Sequence, residues 1–202
     1  MNTNASANPN AFIVHNLDSA PPASKPQLEA TAKAWGFVPT LHGTLAESPI
    51  ALEGYNALFG LVAKSTLSPV EQQVAYMTAN VFHECEYCTA GHTFLSRKAG
   101  MDEAVVQALR SGEAIPMNAK LEAVRAFTLA VLRERGFAGD GAVQAFLAAG
   151  YTKENVLEVV MIIATKVISN YTNHLTHTPL EGFMSDPSLR WIAPRNRATP
   201  TA

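Results

Sequence analysis

The sequence predicts an all-α protein, one domain of packed helices. Three observations carry that expectation. Apolar residues recur at helical three-and-four spacing, as in Leu121, Val124, Phe127, Val131 and Leu132. Helix-start chemistry stands ahead of the apolar runs, most clearly in Ser68-Pro69-Val70-Glu71. Strand signals are scarce, and no short-period repeat is visible. The 202 residues are 48% apolar and only 16% charged, which is enough to bury a real core.

The elements follow in order. Residues 1–25, with Pro21-Pro22, read as an N-terminal arm. Gln27 to Trp35 can form a short helix, stopped near Gly36 and Pro39. Pro49 can begin a second helix that runs to about Lys64. Ser68 then supplies an N-cap, Pro69 the first helical position and Glu71 the carboxylate three after the cap. That capping box opens a helix to about Val81. A break near His83-Glu84 leads into a helix from about Glu86 to Ala99, ended by Gly100. Asp102 caps a short helix to Arg110, with Ser111-Gly112 as its stop. Asn118 to Arg135 forms the next, and Gly136 ends it. Gly141 to Ala149 is short, and Thr152 opens a long apolar helix reaching Asn170 or beyond. Residues 26–185 thus form the helical domain. Residues 186–202 read as a C-terminal tail, frayed from Pro194 onward.

Composition narrows the function. Net charge is −2 with no basic block, which argues against nucleic acid as a partner. Met1–Asn10 is polar and has no signal-peptide pattern. The longest apolar run, Val156 to Ala164, is interrupted by Glu158 and is too short to span a bilayer. A cytoplasmic protein without membrane attachment is expected. A low charge content in a globular chain also suggests surface hidden in a homo-oligomer, and the apolar side of the last helix, Val156 to Ile168, reads as core or subunit interface.

The chemistry concentrates in His83-Glu84-Cys85-Glu86-Tyr87-Cys88-Thr89-Ala90-Gly91-His92. Both cysteines of the chain lie there, at Cys-x-x-Cys spacing. On a helix, Cys85, Cys88 and His92 fall on one stripe, so His92 comes within direct or water-mediated reach of Cys88. The break near residue 84 puts the cysteines at a helix N-terminus, where free N–H groups and the helix dipole favour a thiolate. A thiolate attacks a peroxide oxygen or a disulfide, and a second cysteine can then condense with the sulfenic acid. In a reducing compartment such a pair points to redox chemistry. Two other readings stay open: a metal site drawing on His83, Cys85, Cys88 and His92, and an inert buried pair. Thr89 after Cys88 excludes haem attachment, and no flavin, haem or nicotinamide site is evident, so no cofactor is expected.

The sequence resembles the AhpD-like alkylhydroperoxidase group of the carboxymuconolactone decarboxylase family. The residues that carry the resemblance are Leu67-Ser68-Pro69-Val70-Glu71-Gln72-Gln73, then Cys85-Glu86-Tyr87-Cys88 with His92. Ser169-Asn170-Tyr171-Thr172-Asn173-His174-Leu175, Thr178-Pro179-Leu180, Gly36-Phe37-Val38-Pro39 and Glu47-Ser48-Pro49 extend it over most of residues 30–185. The resemblance implies an AhpD-like helical bundle that associates as a dimer, trimer or hexamer. It implies thiol-dependent peroxide reduction, with Cys88 as the attacking cysteine, Cys85 as its resolving partner and His92 in a proton relay. The partners would be a peroxide substrate and an external thiol or protein reductant. Gln73 stands where the family's best-studied members carry a glutamate, and Tyr87 where they carry a histidine. Those departures motivate the alternative: a redox-sensing or metal-binding protein of the same fold with little peroxidase activity.

Several other residues have structural expectations. Met77, Phe82 and Phe94 read as core. Glu71 is explained by its cap, and Glu84 and Glu86 by the helix dipole. Tyr87, between the cysteines in the sequence, could shape peroxide access and is expected to have a packing role. Tyr171 and Asn173 are candidates to line the same pocket, and His174 and His177 to serve in capping, turns or subunit contact.

Overall fold

The computed structural model describes residues 11–197. Among these, all regular structure is helical. The α-helices are α1 (Lys25–Trp35), α2 (Thr40–Leu45), α3 (Pro49–Val62), α4 (Pro69–Phe82), α5 (Glu86–Lys98), α6 (Glu103–Ser111), α7 (Ala119–Arg133), α8 (Gly139–Ala148) and α9 (Lys153–Thr176). Short 3-10 turns follow at Gly182–Ser185 and Pro194–Asn196.

The caps act as the sequence predicts. At α4 the Ser68 hydroxyl accepts from the Glu71 N–H at 3.3 Å, and the Glu71 carboxylate accepts from the Ser68 N–H at 2.8 Å. Asp102 accepts from the Ala104 N–H at the start of α6; Asn118, which the sequence reading did not name as a cap, accepts from the Leu121 N–H at the start of α7. Thr152 and Asn155 form a second capping box at α9. Each satisfies N–H groups that the helix itself leaves open.

The expected helix list lacks α2. Its six residues are too few to show a period, and tertiary contacts hold them: Leu41 and Leu45 are buried, and the Gly43 carbonyl accepts from the His15 N–H at 3.1 Å. Residues 11–24 therefore lie partly against α2, with His15 buried and bonded to Glu47. The polar segment Met1–Asn10 lies outside the described residues.

α4 is the hub. It packs against α5, α6, α7 and α9. One apolar cluster joins α4, α6, α7 and α9 through Val74, Met77, Val106, Leu109, Phe127 and Ile162. Phe127, Phe146 and Tyr151 stack in it, with centroids 4.6 and 4.3 Å apart. A second cluster gathers Leu28, Leu41, Leu52 and Tyr55 around Cys85 and Cys88. The cysteines thus sit inside a core of their own.

Two expectations need correction. Met77 is core, but Phe82 and Phe94 are 39% and 45% exposed. Apolar spacing gives a helix face without saying what covers it. Residues Asp186–Arg197, expected as a tail, pack onto α5 and α6: the Trp191 ring N–H donates to the Arg110 carbonyl at 2.8 Å, and Arg110 donates to the carbonyls of Leu189 and Arg190. Ala193 and Asn196 bond to Glu86, and Arg195 pairs with Glu84. Residues 198–202 of the expected frayed end lie outside the described residues. No described helix is long and apolar enough to cross a membrane.

Candidate active site

The site begins where α4 stops. His83 is its C-cap, and Glu84 adopts a left-handed conformation (φ 55°), unusual for a residue with a Cβ. That turn makes Cys85 the N-cap residue of α5 and places Cys88 in its first turn. The Cys85 N–H donates to the Asn80 carbonyl at 3.0 Å. Asn80 donates its amide to the Cys88 carbonyl at 3.2 Å and accepts from Asn170 at 3.1 Å. Buried amides on α4 and α9 therefore fix the start of α5.

Both thiols are free and buried, Cys85 at 1% and Cys88 at 3% exposure. Cys88 lines a cleft of about 940 Å³, and Cys85 lies behind it. His92 and Lys166 share the lining with Cys88, and aromatic residues, among them Tyr55, Tyr87, Phe94 and Phe183, form much of the rest. The Tyr87 hydroxyl donates to Glu181 at 2.7 Å, and the same carboxylate oxygen accepts from the Thr40 N–H. Tyr87 is thus buried in the cluster around the cysteines, the packing role expected of it, and also borders the cleft.

α9 supplies the polar groups facing the sulfurs. The Asn173 amide donates to Cys88 Sγ at 3.3 Å and to Cys85 Sγ at 3.6 Å. Ser169 Oγ lies 3.8 Å from Cys88 Sγ. Burial works against a Cys88 thiolate. The hydrogen bond from Cys85, the Lys166 charge and Ser169 outweigh it, so the Cys88 thiol falls below the usual thiol range. Cys85 moves the opposite way, pushed up by its hydrogen bond to Cys88 and by burial. The surroundings thus favour ionisation of one sulfur and disfavour it in its neighbour.

His92 has no hydrogen bond to Cys88. Its Nδ1 lies 2.8 Å from Gln73 Oε1, and Lys166 Nζ lies 3.2 Å from its Nε2. An amide oxygen only accepts, so the ring proton sits on Nδ1 and Nε2 is the free acceptor. Burial and the Lys166 charge hold His92 well below its usual pKa, hence neutral. Tyr76 packs against the ring at 4.6 Å, and Lys166 Nζ lies 5.6 Å from the Tyr76 centroid.

The structure brings together Cys85, Cys88 and, through Lys166, His92. Asn173 is at the site, whereas Tyr171 is 48% exposed and packs edge-on to His83. His177 ends α9 in a left-handed conformation. Sequence reasoning gave no site role to Lys166, Ser169 or Asn170, though the last two lie in a segment that carries the family resemblance. With Asn173 they make a polar stripe at i, i+3, i+4 and i+7 on a largely apolar helix, and that stripe was the readable signal. Among the described residues, no three His, Cys, Asp or Glu side chains converge as a metal cluster.

Residues 49–130 match the model of the carboxymuconolactone decarboxylase family. No curated protein matches the chain. Solved structures share its fold. An alkylhydroperoxidase AhpD core, a peroxidase-related protein from Ralstonia eutropha JMP134, is 20% identical with a TM-score of 0.74 over 88% of this chain and 95% of its own. A peroxidase-related protein from Silicibacter sp. TM1040 is 14% identical with a TM-score of 0.74, over 91% and 98%. The debrominase Bmp8, as a cysteine-to-alanine variant in complex with 2,3,4-tribromopyrrole, is 17% identical with a TM-score of 0.67, over 80% and 87%. The family match spans both cysteines, Gln73 and His92, and the likeness of fold extends across α9, so the chain has the AhpD-like fold and carries a segment similar to the carboxymuconolactone decarboxylase family.

Proposed function

We propose that the protein is a thiol peroxidase that reduces organic peroxides through Cys88 and Cys85. The observation that carries this reading is the asymmetry of the pair: Cys88 lines a cleft and is stabilised as a thiolate, while Cys85 stays protonated behind it. The Cys88 thiolate attacks a peroxide oxygen, the O–O bond breaks, and the alcohol leaves with one proton. Cys88 is then a sulfenic acid. The Cys85 thiol attacks its sulfur, water leaves, and a disulfide closes. An external dithiol or protein thiol returns the two electrons. His92 serves this chemistry through Lys166, not by direct contact with the sulfur.

Mass spectrometry after one equivalent of cumene hydroperoxide tests the reading. Wild type is expected to lose two protons on the peptide containing both cysteines, and Cys85→Ser to trap a sulfenic acid at Cys88. Unchanged mass in wild type, or undiminished turnover in Cys88→Ser with a dithiol reductant, overturns it.

Gln73 favours a second reading, a redox sensor of the same fold, because His92 has no carboxylate to accept its proton. A sensor would close the disulfide once and turn over poorly with excess dithiol. Either role suits a reducing, cytoplasmic compartment. Association between copies would use the outer side of α9, where Leu157, Val160 and Leu175 are exposed.

A further inference from the structure

We infer that Lys166 is a catalytic residue of the peroxide step: its ammonium is the counter-ion of the Cys88 thiolate and the proton donor to the departing alkoxide, with His92 and Gln73 as its positioning residues. The inference rests on the peroxidase reading and adds to it a residue outside the motif.

The first argument is charge. Lys166 is 1% exposed, midway along α9. A buried ammonium needs an opposite charge or it gives up its proton. None of the ion pairs among the described residues includes Lys166. Around it and Cys88, α2 contributes His42, α3 Tyr55, α4 Tyr76 and α5 Tyr87 and His92. Cys85 and His83 lie at the α4–α5 turn. Two acids from the segment after α9 line the cleft, and both are taken: Glu181 by Thr40 and Tyr87, and Asp186 by the Ser188 N–H and the Arg97 charge. Cys88 is therefore the group that can balance Lys166.

The second argument is the direction of the hydrogen bonds. Gln73 fixes the His92 proton on Nδ1 and cannot take it away. A relay through the ring would stop there. The Nε2 lone pair instead accepts from Lys166 at 3.2 Å, which holds the ammonium in the cleft that Lys166, His92 and Cys88 line together. Lys166 is then the donor that this hydrogen-bond chain presents to the cleft.

The step balances. Thiolate and hydroperoxide give the Cys88 sulfenic acid and an alkoxide, and the alkoxide takes a proton from Lys166 to leave as alcohol. Cys85 closes the disulfide with loss of water. When an external dithiol reduces that disulfide, Cys85 regains its proton, Cys88 returns as thiolate, and the proton left over recharges Lys166.

Two variants separate charge from proton donation. Readouts are the iodoacetamide alkylation rate of Cys88 against pH, resolved by peptide, and the single-turnover oxidation rate with cumene hydroperoxide. Lys166→Met is expected to raise the alkylation midpoint toward the ordinary thiol range, cutting the rate at pH 6 by at least ~10-fold. Lys166→Arg keeps the charge but holds its proton, so its midpoint stays near wild type while oxidation slows by about 100-fold. An unmoved midpoint in the methionine variant, or wild-type oxidation in the arginine variant, overturns the inference. If the methionine variant does not fold, the arginine variant decides alone. If wild type forms no disulfide with peroxide, the peroxidase reading fails, and the alkylation arm still measures the ion pair.

Discussion

Replacing Asn173 with leucine removes the one amide that faces both sulfurs and keeps nearly the same volume. In the wild type that amide donates at 3.3 Å to Cys88 Sγ and 3.6 Å to Cys85 Sγ. Hydrogen bonds to a charged group contribute about 1.5–3 kcal/mol. A donor shared between two large acceptors belongs at the lower end. At 1.36 kcal/mol per pKa unit, the Cys88 thiol should rise by about one unit. Below the midpoint, the thiolate fraction and the alkylation rate then fall roughly tenfold. The same shift has a stability consequence. The folded thiol lies below its unfolded value, so the stabilisation is complete above the unfolded pKa and is lost as pH falls through the folded one. Asn173→Leu should flatten that part of the stability profile. Peptide-resolved alkylation from pH 4 to 10 checks the midpoint, and urea unfolding across the same range checks the slope. A midpoint that stays in place or moves down, in a variant that remains folded, would falsify the assignment of Asn173 to the thiolate.

Two further predictions concern the scaffold. Burial takes His42 down to about 4, against a hydrogen bond with Asn56 that works the other way. The unfolded chain binds that proton first, so stability should fall as pH drops from about 6.5 toward 4; His42→Phe should recover about 2 kcal/mol of the loss between pH 7 and 5, read by urea unfolding, and an unchanged slope would refute it. Gly43 and Gly91 both lie inside helices, where alanine is ordinarily favoured by about 1 kcal/mol. A Cβ at Gly43 would fall on the His15 carbonyl, whereas at Gly91 it meets only the flexible end of Met184 at 3.1 Å. Gly43→Ala should therefore lose about 1–3 kcal/mol and expose the segment before α1 to protease, with Gly91→Ala nearly neutral; equal melting temperatures for the two variants would count against this contact.

What could be read from the chain follows the range of the forces involved. The starts of α4, α6 and α9 were legible because a cap is a contact within a few residues, as in Ser68 with Glu71. α2 was not, since its six residues are held by contacts from outside the helix. Cys85, Cys88 and His92 were visible because one short motif holds them. Lys166 lies 74 residues from the ring it touches, so its role depends on how α5 and α9 pack. Phe94 shows the opposite limit: its spacing read as core, yet it borders the cleft facing Phe183 at 5.8 Å. Helical periodicity reports an apolar face, and a substrate cleft and a core present the same pattern.

The site is divided between two parts of the chain, and the division has a chemical meaning. Gln73, Cys85, Cys88 and His92 all lie within residues 49–130, the part that matches the family model. Lys166, Ser169 and Asn173, which bear on the charge state of Cys88, lie beyond it on α9. Without α9, the cysteine motif would still offer a helix N-terminus, but that dipole is worth at most about 2 kcal/mol in partly buried sites. Several kcal/mol are needed to hold an ion out of water. On the proposed reading, a Cys88 thiolate at 3% exposure depends on the opposite charge and the amide that α9 brings. Reactivity at the motif can then change through α9 alone, with Cys-x-x-Cys and His92 intact. Two chains with the same motif and different residues at the positions of Lys166 and Asn173 would share a fold and differ in chemistry.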